Sequence, residues 1–221
     1  MSGPLLVHGE LLDQPTFHAR YSAMPPDLRA ELVDGVVVIR ERRVGARHGA
    51  TSAALAYALV RYEQCTPGVA VAVRVSTILG DADELHPDMS VRLGGGQSRV
   101  GQDDFLHGCP ALACEIVDQE TESHDLIAKR NAYDRHGAGE YLAILVHVGR
   151  HVSFVRRPAG LVEAEPAPDH VWRSNAFPGL WLDPAALLGG DLNRLAAVLE
   201  QGTASPAHAA FAADLRGRPT G

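Results

Sequence analysis

Ala111-Leu112-Ala113-Cys114-Glu115-Ile116-Val117 reads as a buried strand with one carboxylate in it. A charge inside an apolar strand is costly unless it is paired or holds a metal. A polar loop over residues 118–122 leads into a helix that runs to about residue 136, capped by Thr121 or Ser123. Asp125 suits the positive first turn of that helix, Lys129 and Tyr133 follow on it, and Gly137 and Gly139 end it. Tyr141-Leu142-Ala143-Ile144-Leu145-Val146 is apolar on both faces, the mark of an interior strand. Strand, helix and strand of these lengths predict a right-handed parallel crossover. The fold class is therefore α/β, a central mixed β-sheet flanked by helices.

Working outward, Pro87-Asp88 heads a second short strand, Met89-Ser90-Val91-Arg92-Leu93. Residues 69–79 are rich in valine and fit one strand, with Arg74 and Ser76 among the apolar positions; residues 80–86 are an acidic turn, so the two strands form a hairpin. Residues 94–104 open on three glycines and read as a flexible surface loop. A helix over residues 48–64 has Thr51, Leu55, Ala58, Leu59 and Tyr62 on its apolar or small face and ends at Pro67-Gly68. Nearer the start, Glu31-Leu32-Val33 and Val36-Val37-Val38-Ile39 flank Asp34-Gly35, a preferred two-residue hairpin turn. Residues 16–23 form a short helix capped by Thr16. Residues 150–157 alternate as an edge strand, 161–172 are a hairpin or loop, and Asp191 caps a last helix to about residue 200. The division expected is a peripheral segment (1–25), one domain (26–202) and a flexible, frayed tail (203–221).

With 221 residues, 46% hydrophobic and 21% charged, the chain can bury a sizeable core. Its net charge of −7 speaks against a passive nucleic-acid coat but leaves room for a local basic patch beside an acidic site. Three cysteines without a Cys-x-x-Cys predict a reducing, cytoplasmic setting. The start lacks a signal-peptide pattern, and no apolar run is long enough to span a membrane.

Asp88 taken alone is an ordinary turn residue. Glu115 is the stronger signal, because its strand is so apolar; the bland reading is a buried ion pair. Together they fit a hard cation such as Mg²⁺ (or Mn²⁺), which takes one or two carboxylates with waters and phosphate oxygens, and the carbonyl of Ile116 can add a ligand. Asp125, Lys129 and Tyr133 fall at i, i+4 and i+8. Lys129 either points back to the strands or forms a surface pair with Asp125 worth only about 0.3–0.5 kcal/mol. Arg40, Arg42, Arg43 and Arg47 are the densest basic cluster, either a solvated loop or a set of phosphate-binding side chains. His86, His107 and His124 lie in loops without metal-ligand spacing, which leaves a histidine-based hydrolase unsupported.

The order Glu31-Leu32-Val33-Asp34-Gly35, His48, Pro87-Asp88-Met89-Ser90-Val91, Pro110 with Glu115-Ile116-Val117, Asp125 with Lys129 and Tyr133, and Gly139-Glu140-Tyr141-Leu142 resembles the Uma family of restriction-endonuclease-like proteins, within the PD-(D/E)XK nuclease superfamily. The resemblance covers about residues 26–182. It implies a restriction-endonuclease-like fold, Mg²⁺-dependent cleavage of DNA to 5′-phosphate products, and by analogy a homodimer. It implies Asp88 and Glu115 as metal ligands and Lys129 as the catalytic lysine. Glu31 would join the acidic cluster or bind a metal-bound water. His48 matches a histidine opening the first long helix, with Asp118 and Tyr133 as further neighbours of the site. Two positions depart from the pattern. Val117 stands where the superfamily motif has its lysine, and Asp118-Gln119 replaces a common Ser-Pro. The alternative is therefore a catalytically inactive nuclease-fold module that binds nucleic acid or a protein partner.

Overall fold

In the computed structural model, residues 5–25, 28–40 and 44–217 are described. Helix α1 (Gln14–Tyr21) is capped by Asp13, whose carboxylate accepts from the Thr16 N–H at 2.8 Å. The expected cap was Thr16 itself; Asp13 takes the role because Pro15 suits the first turn that follows it. Asp34 and Gly35 adopt φ of 54° and 74°, as a type I′ turn needs. They fold β1 (Arg29–Val33) onto β2 (Val36–Arg40), with Arg29 opposite Arg40 and Glu31 opposite Val38. Helix α2 (Ala46–Cys65) buries His48, Thr51, Leu55, Ala58, Leu59 and Tyr62 on one side.

The valine-rich stretch is two strands rather than one. β3 (Val69–Val73) ends at Arg74, which turns to φ 57°, and β4 (Thr77–Gly80) resumes in a different sheet. An L-residue at positive φ cannot continue an extended strand. The acidic turn expected over residues 80–86 contains β5 (Asp83–Leu85), fully buried and paired with both β4 and β1. β6 (Met89–Leu93) pairs antiparallel with β3, as expected, but the two are not a hairpin, because β4 and β5 of the other sheet lie between them. The glycine-rich stretch is not wholly loop, since β7 (Arg99–Val100) pairs with β8 (Leu106–His107).

β9 (Leu112–Val117) is followed by a π-helix (His124–Lys129), helix α3 (Arg130–Arg135) and β10 (Glu140–Leu145). β9 and β10 are parallel, with Glu115 opposite Ala143, which bears out the crossover. β11 (Arg150–Arg157) is not an edge, because β12 (Gly160–Glu163) pairs outside it. β13 (Trp172–Arg173) and β14 (Trp181–Leu182) form a small ribbon. Helices α4 (Pro184–Gly189) and α5 (Leu192–Thr203) follow, α5 capped by Asp191. Beyond them, where a frayed chain was expected, α6 (Pro206–Arg216) buries His208, Ala212 and Leu215. Those positions share one helical face, Ser205 caps it, and alanine is the best helix former; proline and glycine in the composition masked the pattern.

The strands make two six-stranded sheets, ordered β2-β1-β5-β4-β8-β7 and β12-β11-β10-β9-β6-β3. The second is mixed. Leu112, Cys114 and Ile116 face the side covered by α2, α4 and α5; Ala113 and Val117 face the side that packs against Tyr133, Leu79 and Leu85. Glu115 belongs to this second side by strand alternation. No helix among the described residues is long and apolar enough to cross a membrane.

Candidate active site

The register sets Met89 against Cys114. One step on, Asp88 and Glu115 stand beside each other at the end of the β6–β9 pairing. Asp88 is 4% exposed and Glu115 3%. Asp88 Oδ2 accepts from the Ile116 N–H at 2.8 Å, which fixes the carboxylate against β9. Its Oδ1 lies 3.9 Å from both His48 Nε2 and Arg74 Nε. His48, in the first turn of α2, turns Nδ1 to Asp118 Oδ2 at 3.1 Å. The expected neighbours His48 and Asp118 are thus linked to Asp88 in a chain.

Lys129 points inward. Its Nζ lies 2.6 Å from Glu115 Oε1, 2.9 Å from Glu31 Oε1 and 3.4 Å from the His86 carbonyl. The surface-pair alternative with Asp125 is excluded, because both side chains are buried. The π-turn explains the geometry: the Arg130 N–H donates back five residues to the Asp125 carbonyl, which also accepts from the Tyr141 hydroxyl at 2.8 Å. This wider winding keeps Asp125 and Lys129 on the inward side together, and such turns recur at functional sites. Glu31, from the other sheet, completes the cluster. Its Oε1 also accepts from the His86 N–H at 2.8 Å, and its Oε2 lies 3.0 Å from His124 Nε2. Tyr133 is buried behind them, its hydroxyl without a hydrogen-bond partner.

Three carboxylates around one ammonium set the electrostatics. Burial works against the Lys129 charge, but Glu115, Glu31 and Asp125 outweigh it and hold the ammonium protonated well above its ordinary range. Burial would raise Glu31 too, yet Lys129 and His124 keep it well below the usual carboxylate range. Glu115 goes the other way: burial, with Asp88, Asp125 and Glu31 adding, raises it well above the usual range despite Lys129. Asp125 is raised, chiefly by burial.

Oxygen donors of this kind suit a hard divalent cation. Glu115 Oε1 meets Lys129 as an ion pair but is buried without a directed hydrogen bond, so it retains capacity for a ligand. The donor chemistry therefore fits Mg²⁺ or Mn²⁺ through Asp88 and Glu115. Among the described residues no three His, Cys, Asp or Glu side chains converge closely enough to hold an ion alone, so water, phosphate or backbone oxygens would complete the shell.

Of the arginine cluster, Arg42 and Arg43 lie outside the described residues. Arg47 is exposed on the first turn of α2. Arg40 lines a small cavity with Arg29, Glu31, Val38, Arg74 and His86. Arg29 and Arg74 escaped the sequence reading. The Asp34-Gly35 turn already dictates that Arg29 opposes Arg40, so that signal was present; Arg74 joins through a backbone turn that its sequence does not announce.

A family model described as "Uma2: Putative restriction endonuclease" matches residues 15–185. A solved structure from Anabaena variabilis ATCC 29413, described as a putative nuclease belonging to DUF820, superposes with a TM-score of 0.59 at 13% identity, covering 76% of this chain and 97% of that one. At that identity the likeness speaks for the fold. No curated protein matches the chain.

Proposed function

Because the chain belongs to the Uma2 family, we propose that it is a metal-dependent endonuclease that hydrolyses phosphodiester bonds of DNA. The observation that carries this reading is Lys129 Nζ at 2.6 Å from Glu115 Oε1. Val117, on the same face of β9 as Glu115, leaves the motif's lysine position apolar, and the ammonium supplied from the neighbouring helix makes good that loss. Asp88 and Glu115 would hold Mg²⁺ or Mn²⁺, which when bound lowers the pKa of a water and offsets charge on the scissile phosphate. The Ile116 N–H and His48 hold Asp88 in place. Lys129 keeps its proton and donates it as a hydrogen bond, either to the attacking water or to a phosphate oxygen. Glu31 and the His86 carbonyl keep the lysine aimed. Cutting both strands of a duplex calls for two such sites, hence a homodimer.

A second reading has its own observation. Lys129 already pairs with both Glu31 and Glu115, and a buried ion-pair network of this kind can serve the fold alone. The protein would then be an inactive nuclease-fold module. Incubation with supercoiled plasmid and Mg²⁺ or Mn²⁺, with EDTA as control, separates the readings. The nuclease reading expects nicking by the wild type that EDTA, Asp88→Asn and Lys129→Ala each abolish. Nicking that survives Asp88→Asn, or that resists EDTA, would sink it.

A further inference from the structure

We propose that the cavity between Arg29, Arg40 and Arg74 seats one phosphate of the bound strand beside the carboxylate pair. The proposal deepens the nucleic-acid reading above and rests on it for the identity of the ligand. The hairpin register puts Arg29 directly opposite Arg40, on the face that also carries Glu31 and Val38. The other face, with Ala30, Leu32 and Val37, is spent on a small core around Phe17. Like charges directly opposed across two strands are destabilising unless an anion lies between them. No carboxylate pairs with Arg29 or Arg40 among the described residues. Arg40 Nε and His86 Nε2 are buried without hydrogen-bond partners, although such atoms are costly to leave unmet.

The third arginine arrives by a strained route. Arg74 adopts φ 57°, its N–H donates to the Asp88 carbonyl at 3.1 Å, and it lines the cavity while its Nε stands 3.9 Å from Asp88 Oδ1. One residue thus borders both the cavity and the candidate metal ligand. The cavity holds about 50 Å³. A single water needs only about 10–15 Å³ of such space, so there is room for a small tetrahedral anion. Glu31 lines one wall, but Lys129, the His86 N–H and His124 engage its two oxygens. The charges facing the space therefore favour an anion. Arginine forks are well suited to phosphate oxygens.

The test uses inorganic phosphate as probe, in EDTA, followed by thermal melting against chloride at matched ionic strength. Wild-type Tm should rise with phosphate and saturate. Arg29→Gln and the double variant Arg29→Gln/Arg40→Gln should lose that rise, and their Tm in chloride should equal or exceed the wild type's, because the opposed charges are gone. A flat wild-type response, an undiminished rise in the double variant, or a lower Tm of the variants in chloride would each overturn the proposal; the last would make the arginines structural. A fluorescent DNA oligonucleotide in EDTA should bind the double variant about tenfold more weakly. If plasmid nicking fails while the phosphate response is present and lost in the variants, the anion site stands and the nuclease reading falls. If nicking proceeds and the phosphate response is flat, only the anion site falls.

Discussion

Lys129 stands where the buried Glu115 and the largely covered Glu31, from different sheets, meet, so removing its charge strands both. Lys129→Met, which keeps the bulk, should cost about 3–5 kcal/mol at neutral pH, the usual consequence of orphaning a buried charge. The sign of its pH dependence follows from Glu31. A carboxyl held below its unfolded value of about 4.3 contributes stability above that value and loses it as pH falls through the folded one. The variant lacks that contribution, so urea melts at pH 7 and at pH 4 should show the gap to wild type narrowing on acidification. A gap that widens would mean that Lys129 does not set the Glu31 charge. Asp83 offers the same arithmetic away from the site. Its carboxylate accepts from the Asp34 N–H at 2.8 Å and from Arg135 at 3.1 Å, and lies 2.8 Å from His136 Nε2. Burial opposes this, yet the partners hold it below the ordinary value. Asp83→Asn should lose about 1–3 kcal/mol at pH 7 and flatten the loss of stability below about pH 3.9, as equilibrium denaturation across pH would record. At this scale the sequence was most legible where a residue broke a pattern: Glu115 in an apolar strand, Asp88 after a proline. Lys129 was ambiguous because spacing on a helix gives a face but not whether that face is turned inward.

Among the elements, the β9–π-helix–α3–β10 unit was legible as a crossover because both strands are apolar apart from Glu115 and Glu140, and glycines end the helix between them. The π-turn was not, since its hydrogen-bond step depends on what the helix packs against. The division of one valine-rich run into β3 and β4 was hidden for a similar reason: Arg74 at positive φ is a local exception that tertiary contacts impose. β5 was missed because Asp83 and Glu84 look like turn residues; they are buried because each has charged or polar partners waiting, His136 and Arg135 for Asp83, His18 and Gln14 for Glu84. The C-terminal elements give a prediction of their own. A Cβ at Gly202, in α5, would collide with the backbone oxygen of Gly179 and come within 2.8 Å of the Trp181 ring. Gly202→Ala should therefore destabilise by about 1–3 kcal/mol through overpacking, with a lowered urea midpoint. An unchanged midpoint would mean that α5 and the 177–182 segment are free to separate.

Across the whole molecule, the second sheet supplies Asp88 and Glu115, the first supplies Glu31, and the helix covering the mixed sheet supplies Lys129. The cluster forms only where these three meet, which is why no single stretch of sequence contains it. The pattern of short motifs singled out the four residues that cluster here; their convergence required the two-sheet arrangement, of which only one sheet was foreseen. The most direct test of this arrangement is Mn²⁺ titration of the folded, metal-free protein by calorimetry, with Asp88→Asn alongside. The structure predicts saturable binding by the wild type that the variant loses while its Tm shows it folded. No binding by the folded wild type, or equal binding by both, would contradict a metal site at Asp88 and Glu115 and leave the Lys129 cluster as part of the scaffold.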